Sequence, residues 1–272
     1  MKIGNKTFKN HTYIMGILNV TPDSFSDGGK YADIDKAMRH ADQMIKEGAD
    51  VIDIGGESTR PEYQQTGYQQ ISDDEEIERI CPVIEKIKNT FDIPVSADTY
   101  KSAVALSAIK SGADLINDIW GLKYDDKMAH IISSYKKSVC IMHNRKNTSY
   151  NSFIDDVISE LRESIDTAVS SGIDKDLIMI DPGVGFAKSY EQNLIITNEL
   201  EKLHILKTPI LLGTSRKSMI GLSLDLPVEE RLEGTLATTV FAVLKNCLFV
   251  RVHDIKENKR IITMSEKLLG KL

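Results

Sequence analysis

IDKAMRHADQMIKEGADVIDIGGE, residues 34–57, holds one full unit of the pattern from which this chain is built. Ile34, Ala37, Met38, Ala41, Met44 and Ile45 recur three or four positions apart, so residues 34–47 predict a helix with one apolar face. Gly48 follows that stripe, where a helix C-terminus favours glycine. A short β-branched run at 51–54 comes next and ends among polar residues, as a buried strand does at its mouth.

The unit recurs in both directions from there. Gly112-Ala113-Asp114 repeats Gly48-Ala49-Asp50 and again leads into an apolar run, and Gly172 closes a third stripe. Runs rich in Ile, Val and Leu at 13–18, 51–54, 95–97, 115–117, 139–142, 177–180, 210–212 and 248–252 predict eight strands. They show no clean in-out alternation, which suits parallel strands covered on both faces. Residues 73–88, 153–168, 229–244 and 265–272 read as further helices, the first opening on the acidic run Asp73-Asp74-Glu75-Glu76 that favours a helix N-terminus. Residues 1–11 read as a small hairpin turning near Gly4-Asn5. Eight β–α units in 272 residues predict an α/β fold, one (β/α)8 TIM barrel domain over 1–272 with a short N-terminal β-hairpin. An open doubly wound sheet is the alternative. Asn19-Val20-Thr21-Pro22 follows its first strand, with no glycine-rich dinucleotide turn.

Composition narrows the partners. Apolar residues at 41% and charged residues at 27% supply a globular core and a solvated surface. Lys and Arg number 34 against 40 Asp and Glu, a net charge of −6, which argues against nucleic acid but leaves room for a small anion held by local cations. Cys81, Cys140 and Cys247 are too irregularly spaced for a disulfide framework or a metal cluster. No charged-then-apolar leader opens the chain and no apolar run reaches 18 residues, so no membrane partner and a cytoplasmic location are expected.

In a barrel, ligands bind at the C-terminal ends of the strands. Here those ends carry Asn19, Asp53, Asp98, Asn117-Asp118, Met142-His143-Asn144, Asp181, Gly213-Thr214-Ser215-Arg216-Lys217, and Arg251 with His253. So much polarity on one rim is costly to bury without a ligand, although Asp118 reads equally as a cap for the next helix. Asp98, Asn117 and Asp181 suit a flat heterocycle with several N–H donors. Asp181 is placed to accept two parallel ones, Lys217 to donate to a ring carbonyl, and Met142 to cover a ring face or simply to fill the core. Arg60, Arg251, His253 and Ser215 form a cationic half of a size for phosphate or diphosphate. Ser215 stands near a short helix expected at 216–222, whose N-terminus would add N–H donors. Asn19 suits Mg²⁺, which often takes one protein oxygen beside substrate phosphates and waters. Two long loops, 20–29 and 58–72, border the rim and read as lids. His11, His40, His130 and His204 lack such context and read as surface or packing residues.

These residues carry a family likeness. Residues 15–29, MGILNVTPDSFSDGG, resemble the first signature of the dihydropteroate synthases, and residues 53–61, DIGGESTRP, resemble the second. Asp98-Thr99-Tyr100-Lys101, Ile116-Asn117-Asp118, Met142-His143-Asn144, the 181–186 stretch DPGVGF, the 213–218 stretch GTSRKS and the 250–254 stretch VRVHD continue the likeness in order to residue 254. Ala97 departs from it, standing where many relatives carry a larger β-branched residue. The resemblance implies a (β/α)8 homodimer that joins 7,8-dihydropterin-6-ylmethyl diphosphate to 4-aminobenzoate by an SN1-like route, needs Mg²⁺ and is a sulfonamide target. It implies Asp98, Asn117, Asp181 and Lys217 as the pterin set, with Met142, Gly213 and Phe186 packed around it. It implies Asn19, Arg60, Arg251 and His253 for diphosphate and metal, and Thr59, Pro61, Phe186, Lys217 and Ser215 around the aminobenzoate. Asp23 and Asp27 fall in the family's closing loop. A pterin-dependent methyltransferase barrel is a rival that has no diphosphate for Arg60, Arg251 and His253 to hold. A catalytically inert barrel is another, and it should have lost polar rim residues.

Overall fold

The computed structural model describes residues 1–21, 29–57 and 70–271, with side chains in the first helix from residue 33 onward. Strands β1 (Lys2–Ile3) and β2 (Lys6–Thr7) pair antiparallel as the expected hairpin. Strands and helices then alternate: β3 (Tyr13–Asn19), α1 (Gly29–Glu47), β4 (Val51–Gly55), α2 (Asp73–Thr90), β5 (Val95–Asp98), α3 (Ser102–Lys110), β6 (Leu115–Asp118), α4 (Met128–Ser134), β7 (Ser138–Met142), α5 (Phe153–Ser170), β8 (Ile178–Asp181), α6 (Tyr190–Asn198), β9 (Leu211–Leu212), α7 (Ser218–Leu224), α8 (Leu232–Leu244), β10 (Phe249–Val252) and α9 (Ile255–Leu268). Among the described residues, eight parallel strands form one sheet in the order β8-β7-β6-β5-β4-β3-β10-β9. A parallel bridge from Ile180 to Ile210, just before β9, joins its two edges and completes the barrel.

The apparent lack of alternation in the strands has a simple origin. One parity of each strand faces outward and packs with the helices: Ile14, Leu18, Ile52, Ile54, Ile116, Val139, Ile141, Ile178, Ile180, Leu212, Val250 and Val252 all belong to that core. The other parity faces inward. Met15, Val51, Leu115, Cys140, Met179, Leu211 and Phe249 fill the bottom of the barrel, and Ile3 and Phe8 of the N-terminal segment plug it from below. Two residues further along the same strands stand Asp53, Asn117, Met142, Asp181, Gly213 and Arg251. The inner parity thus turns largely polar halfway up, while the outer stays apolar except for Asp118 at the end of β6.

Several helices were harder to read than the strands. α3, α4 and α6 have nine, seven and nine residues, too few for a stripe to declare itself. α9 starts ten residues before the expected 265, because its buried face carries Asn258, Ser265 and Glu266 beside Ile255 and Ile262. Those polar residues are paired: Glu266 accepts from the Thr12 N–H at 2.8 Å, and Asn258 accepts from the Thr239 hydroxyl at 2.6 Å. The repeated Gly-Ala-Asp is structural. Gly48 and Gly112 end their helices with φ of +104° and +111°, and Asp50 and Asp114 accept the N–H groups of Ile14 and Val95 on neighbouring strands at 2.9 and 3.0 Å.

Phe8 makes edge contacts with Tyr13 and Phe249 at ring separations of 4.8 and 5.0 Å. Phe8→Ala is expected to lower stability by about 3 kcal/mol, because it opens a cavity under the bottom layer. Urea unfolding followed by circular dichroism checks this; an unchanged midpoint would show that the plug is dispensable.

Candidate active site

At the centre of the polar layer, the Arg251 guanidinium is shared by two carboxylates. Its Nε donates to Asp53 Oδ2 at 2.6 Å and its Nη2 to Asp98 Oδ2 at 2.5 Å. Asn117 Nδ2 also donates to Asp53 Oδ2, at 3.3 Å. Asp53 is fully buried, and Arg251 is the cation that pairs with it there. Burial disfavours the Arg251 cation, but Asp53 and Asp98 outweigh it and hold the group above its ordinary value. Burial pushes Asp98 up to about 7, against the pull of Arg251. Asp53 Oδ1 and Asp98 Oδ1 are buried acceptors without a hydrogen-bond partner among the described residues.

Across the mouth, Gly213 marks where several groups converge. A Cβ there would lie 3.3 Å from Asp181 Oδ2, 3.9 Å from Arg251 Cβ and 4.0 Å from Lys217 Nζ. The other Asp181 oxygen accepts from the Gly183 N–H at 2.7 Å. Burial raises Asp181, while Lys217 and that N–H oppose the rise. Lys217 Nζ donates to the Val184 carbonyl and stands 5.0 Å from the centroid of the Phe186 ring. Burial pushes Lys217 down to about 8, with Asp181 opposing. Met142, Tyr100 and Ile119 cluster with Trp120 and Phe186, an apolar wall beside the carboxylates. This is a slot for a flat ring: acceptors along one edge, a cation at the other, an apolar face.

Ser215 Oγ and His253 Nδ1 lie 2.9 Å apart, and the His253 N–H donates to Ser215 Oγ at 3.2 Å. The short helix here starts at Ser218 with Lys217 as its N-cap, two residues later than expected, so Ser215 lies in the turn before it. Asn19 Oδ1 and Asp98 Oδ2 approach the same point above Gly55, at 3.7 and 3.8 Å. Asp98, Asn117, Met142, Asp181, Phe186, Gly213, Ser215, Lys217, Arg251, His253 and Asn19 are thus all carried to one mouth. Asp23, Asp27, Thr59, Arg60 and Pro61, with residues 22–28 and 58–69 of the two expected lids, lie outside the described residues. Asp118 does not cap the next helix, which starts at Met128; it holds the turn that leaves β6, accepting the Trp120 and Leu122 N–H groups at 2.8 Å each. A cavity of about 700 Å³ lies at the opposite end of the barrel, lined by Lys2, Asp114, Lys136, Lys137 and Ser138, away from all of these groups.

Three groupings cannot be read from the sequence. Asp53 was noted at a strand end, yet its place at the centre follows from sharing a parity with Val51, which only the inward direction of that parity makes meaningful. Buried Lys188 and His143, with half-buried Glu160, form a second polar cluster under the slot. Lys101 joins Glu57 and Glu76 at 2.9 and 2.8 Å and also donates to the Ile71 carbonyl at 2.8 Å.

Residues 15–253 match the family described as pterin binding enzyme. A dihydropteroate synthase of Clostridium beijerinckii is 56% identical over 269 residues, covering 98% of each chain. The crystal structure of a Clostridium difficile dihydropteroate synthase in the presence of pteroic acid is similar at a TM-score of 0.92 and 48% identity, covering 97% of this chain and 98% of its own. The Yersinia pestis dihydropteroate synthase in a sulfonamide drug complex is similar at 0.91 and 36% identity, covering 100% and 99%.

Arg251→Met leaves Asp53 and Asp98 buried together without a cation. A loss of about 3–5 kcal/mol is expected near neutral pH. Without the pull of Arg251, Asp98 of the folded variant would titrate still further above its unfolded value, so the loss should shrink as pH falls and grow as it rises. Denaturant midpoints between about pH 5 and 8 test this; a pH-independent deficit would mean that the guanidinium does not compensate these charges.

Proposed function

Because the chain belongs to the pterin binding enzymes and, within them, to the dihydropteroate synthases, we propose that its polar mouth joins a 7,8-dihydropterin-6-ylmethyl group to 4-aminobenzoate and releases diphosphate. The convergence of Asp181, Lys217 and Arg251 around Gly213 carries this reading. Asp181 Oδ2 and the unpartnered oxygens of Asp98 and Asp53 face a ring edge that offers N–H donors, and Asn117 stands beside them. Lys217 donates to the ring's acceptor side. Met142 and Phe186, packed in one cluster, offer an apolar wall to the ring face.

The chemistry follows from the charges. As the bond from the exocyclic CH₂ to the diphosphate breaks in an SN1-like step, positive charge develops on the dihydropterin, and Asp98 and Asp181 favour it. Arg251, Ser215 and His253 receive the departing anion. Arg60 joins them in this reading, with Thr59 and Pro61 near the aminobenzoate and Asp23 and Asp27 in the loop beside it. The amine of 4-aminobenzoate is neutral at pH 7 and attacks without a dedicated base. Mg²⁺ fits the donor set: Asn19 Oδ1 is a hard oxygen beside Asp98, and no group of three metal-ligating side chains among the described residues competes with it. A site with one protein oxygen, completed by phosphate and water, suits that ion. When bound it would supply charge neutralisation to the diphosphate.

A cytoplasmic location is in keeping with three free cysteines. Among the described residues, no helix is long and apolar enough to cross a membrane. A homodimer is in keeping with α6, α7 and α8, which pack on one another and expose Leu194, Ile195, Leu222, Leu224, Phe241 and Leu244. Leu222, at 68% exposure, is the most open of these, which a lone chain would leave in water. Sedimentation velocity at micromolar protein should give the dimer mass, and a monomer throughout would remove that assignment.

Diphosphate release that requires both the pterin diphosphate and 4-aminobenzoate tests the reaction, and folded protein without amine-dependent release would overturn it. The kcat/KM for the pterin substrate, which reports the free enzyme, should fall on the acid side as Asp98 protonates near 7 and on the basic side as Lys217 loses its proton near 8. Lys217→Arg should remove the basic limb up to about pH 10, since guanidinium keeps its proton.

A further inference from the structure

The loop that leaves β8 winds around a buried lysine. Lys188 Nζ donates to the Gly183 carbonyl at 3.0 Å, to the Phe186 carbonyl at 3.1 Å and to His143 Nδ1 at 2.9 Å. Burial pushes Lys188 down to about 7, with Asp181 opposing, and in the ammonium form its three N–H groups all find an acceptor here. His143 is itself buried, and its Nε2 lies 3.1 Å from Glu160 Oε2 on α5. Burial, helped by Lys188, pushes His143 down to about 2, so its ring is neutral, accepting from Lys188 and donating to Glu160.

The other side of the same loop faces the slot. The Val184 carbonyl, between the two that Lys188 holds, accepts from Lys217. Phe186 carries the ring beneath Lys217 and belongs to the apolar wall with Met142. The Gly183 N–H holds Asp181. Tyr150 donates to the Ala187 carbonyl at 2.8 Å, and Asn193 accepts the Gly185 N–H at 2.6 Å. Gly183 has φ of +71°, and a Cβ there would lie 1.9 Å from the His143 carbonyl oxygen, so the loop is pressed against the end of β7. A buried cation is a costly way to fill space, and an apolar side chain would fill it more cheaply. What an ammonium adds is direction: it turns two loop carbonyls inward and so leaves the carbonyl between them to the slot.

We propose that Lys188, braced by His143 and Glu160, is a positioning residue for pterin recognition: it holds the 183–188 loop in the one conformation that presents Val184 to Lys217, Phe186 to the ring face and Gly183 to Asp181. The inference rests on the reading of this mouth as the pterin slot. Lys188 touches no substrate in this scheme and acts through those three residues.

Lys188→Met keeps the unbranched stem and removes the ammonium. Binding of 6-hydroxymethylpterin, followed by its fluorescence, should weaken by about tenfold, the scale of losing charge-assisted hydrogen bonds. The KM for the pterin substrate should rise in step while kcat at saturation stays within about threefold, since no group that meets the reacting atoms is removed. In Lys188→Ala, ethylammonium chloride should restore part of the pterin affinity and an equal concentration of sodium chloride should not. Should Lys188→Met fail to fold, Lys188→Gln, a neutral donor in the same place, is measured in the same way. Pterin affinity within about threefold of the unaltered protein in the folded variant, or a fall confined to kcat, would overturn the proposal. Asp181→Asn is the control for the slot itself. If it binds pterin normally, the reading of the slot has failed, whereas if it loses pterin and Lys188→Met does not, only the role of Lys188 has failed.

Discussion

A guanidinium shared between two buried carboxylates holds the working end of this barrel together. Arg251 on β10, Asp53 on β4 and Asp98 on β5 come from strands far apart in the chain, and none is tolerable there alone. Their mutual compensation lets a polar layer exist inside a barrel whose lower half is filled mainly by apolar side chains. It also leaves one oxygen of each carboxylate aimed inward without a partner among the described residues. The acceptor half and the cationic half expected from the sequence are therefore not separate regions. They interlock through Arg251, and a ligand that engages either set bears on the other.

Around that pair the site is built from backbone as much as from side chains. At Gly213 a side chain would crowd Asp181 at 3.3 Å and take up space in the slot. Lys217 and Lys188 grip alternating carbonyls of one short loop, from the slot side and from the protein side. Strand ends alone would give loosely directed polar groups; a loop held from both sides fixes them to within the tolerance that recognition of a flat heterocycle demands.

Much of the fold was legible because each β–α unit repeats the same local code. All eight strands and the long helices stood where apolar periodicity placed them, while α3, α4 and α6 were too short to show a period. α9 was misread at its start because Asn258 and Glu266 sit on its buried face, satisfied by Thr239 and Thr12 from elsewhere in the chain. The candidate residues at the strand ends were legible through position, since parallel strands in a barrel all point their C-terminal ends the same way. The pairing of Asp53 and the burial of Lys188 were not, because nothing local distinguishes a buried partner of a distant cation from a surface charge.

By itself, then, the sequence determined the repeating unit, the closure into a barrel and the set of polar residues delivered to one rim, all properties written in spacing along the chain. Only the tertiary structure decided which charge answers which, that Arg251 belongs to Asp53 and Asp98 and Lys188 to His143. Pairings of that kind depend on distances across the barrel, and strands that meet there are separated in sequence by up to 198 residues.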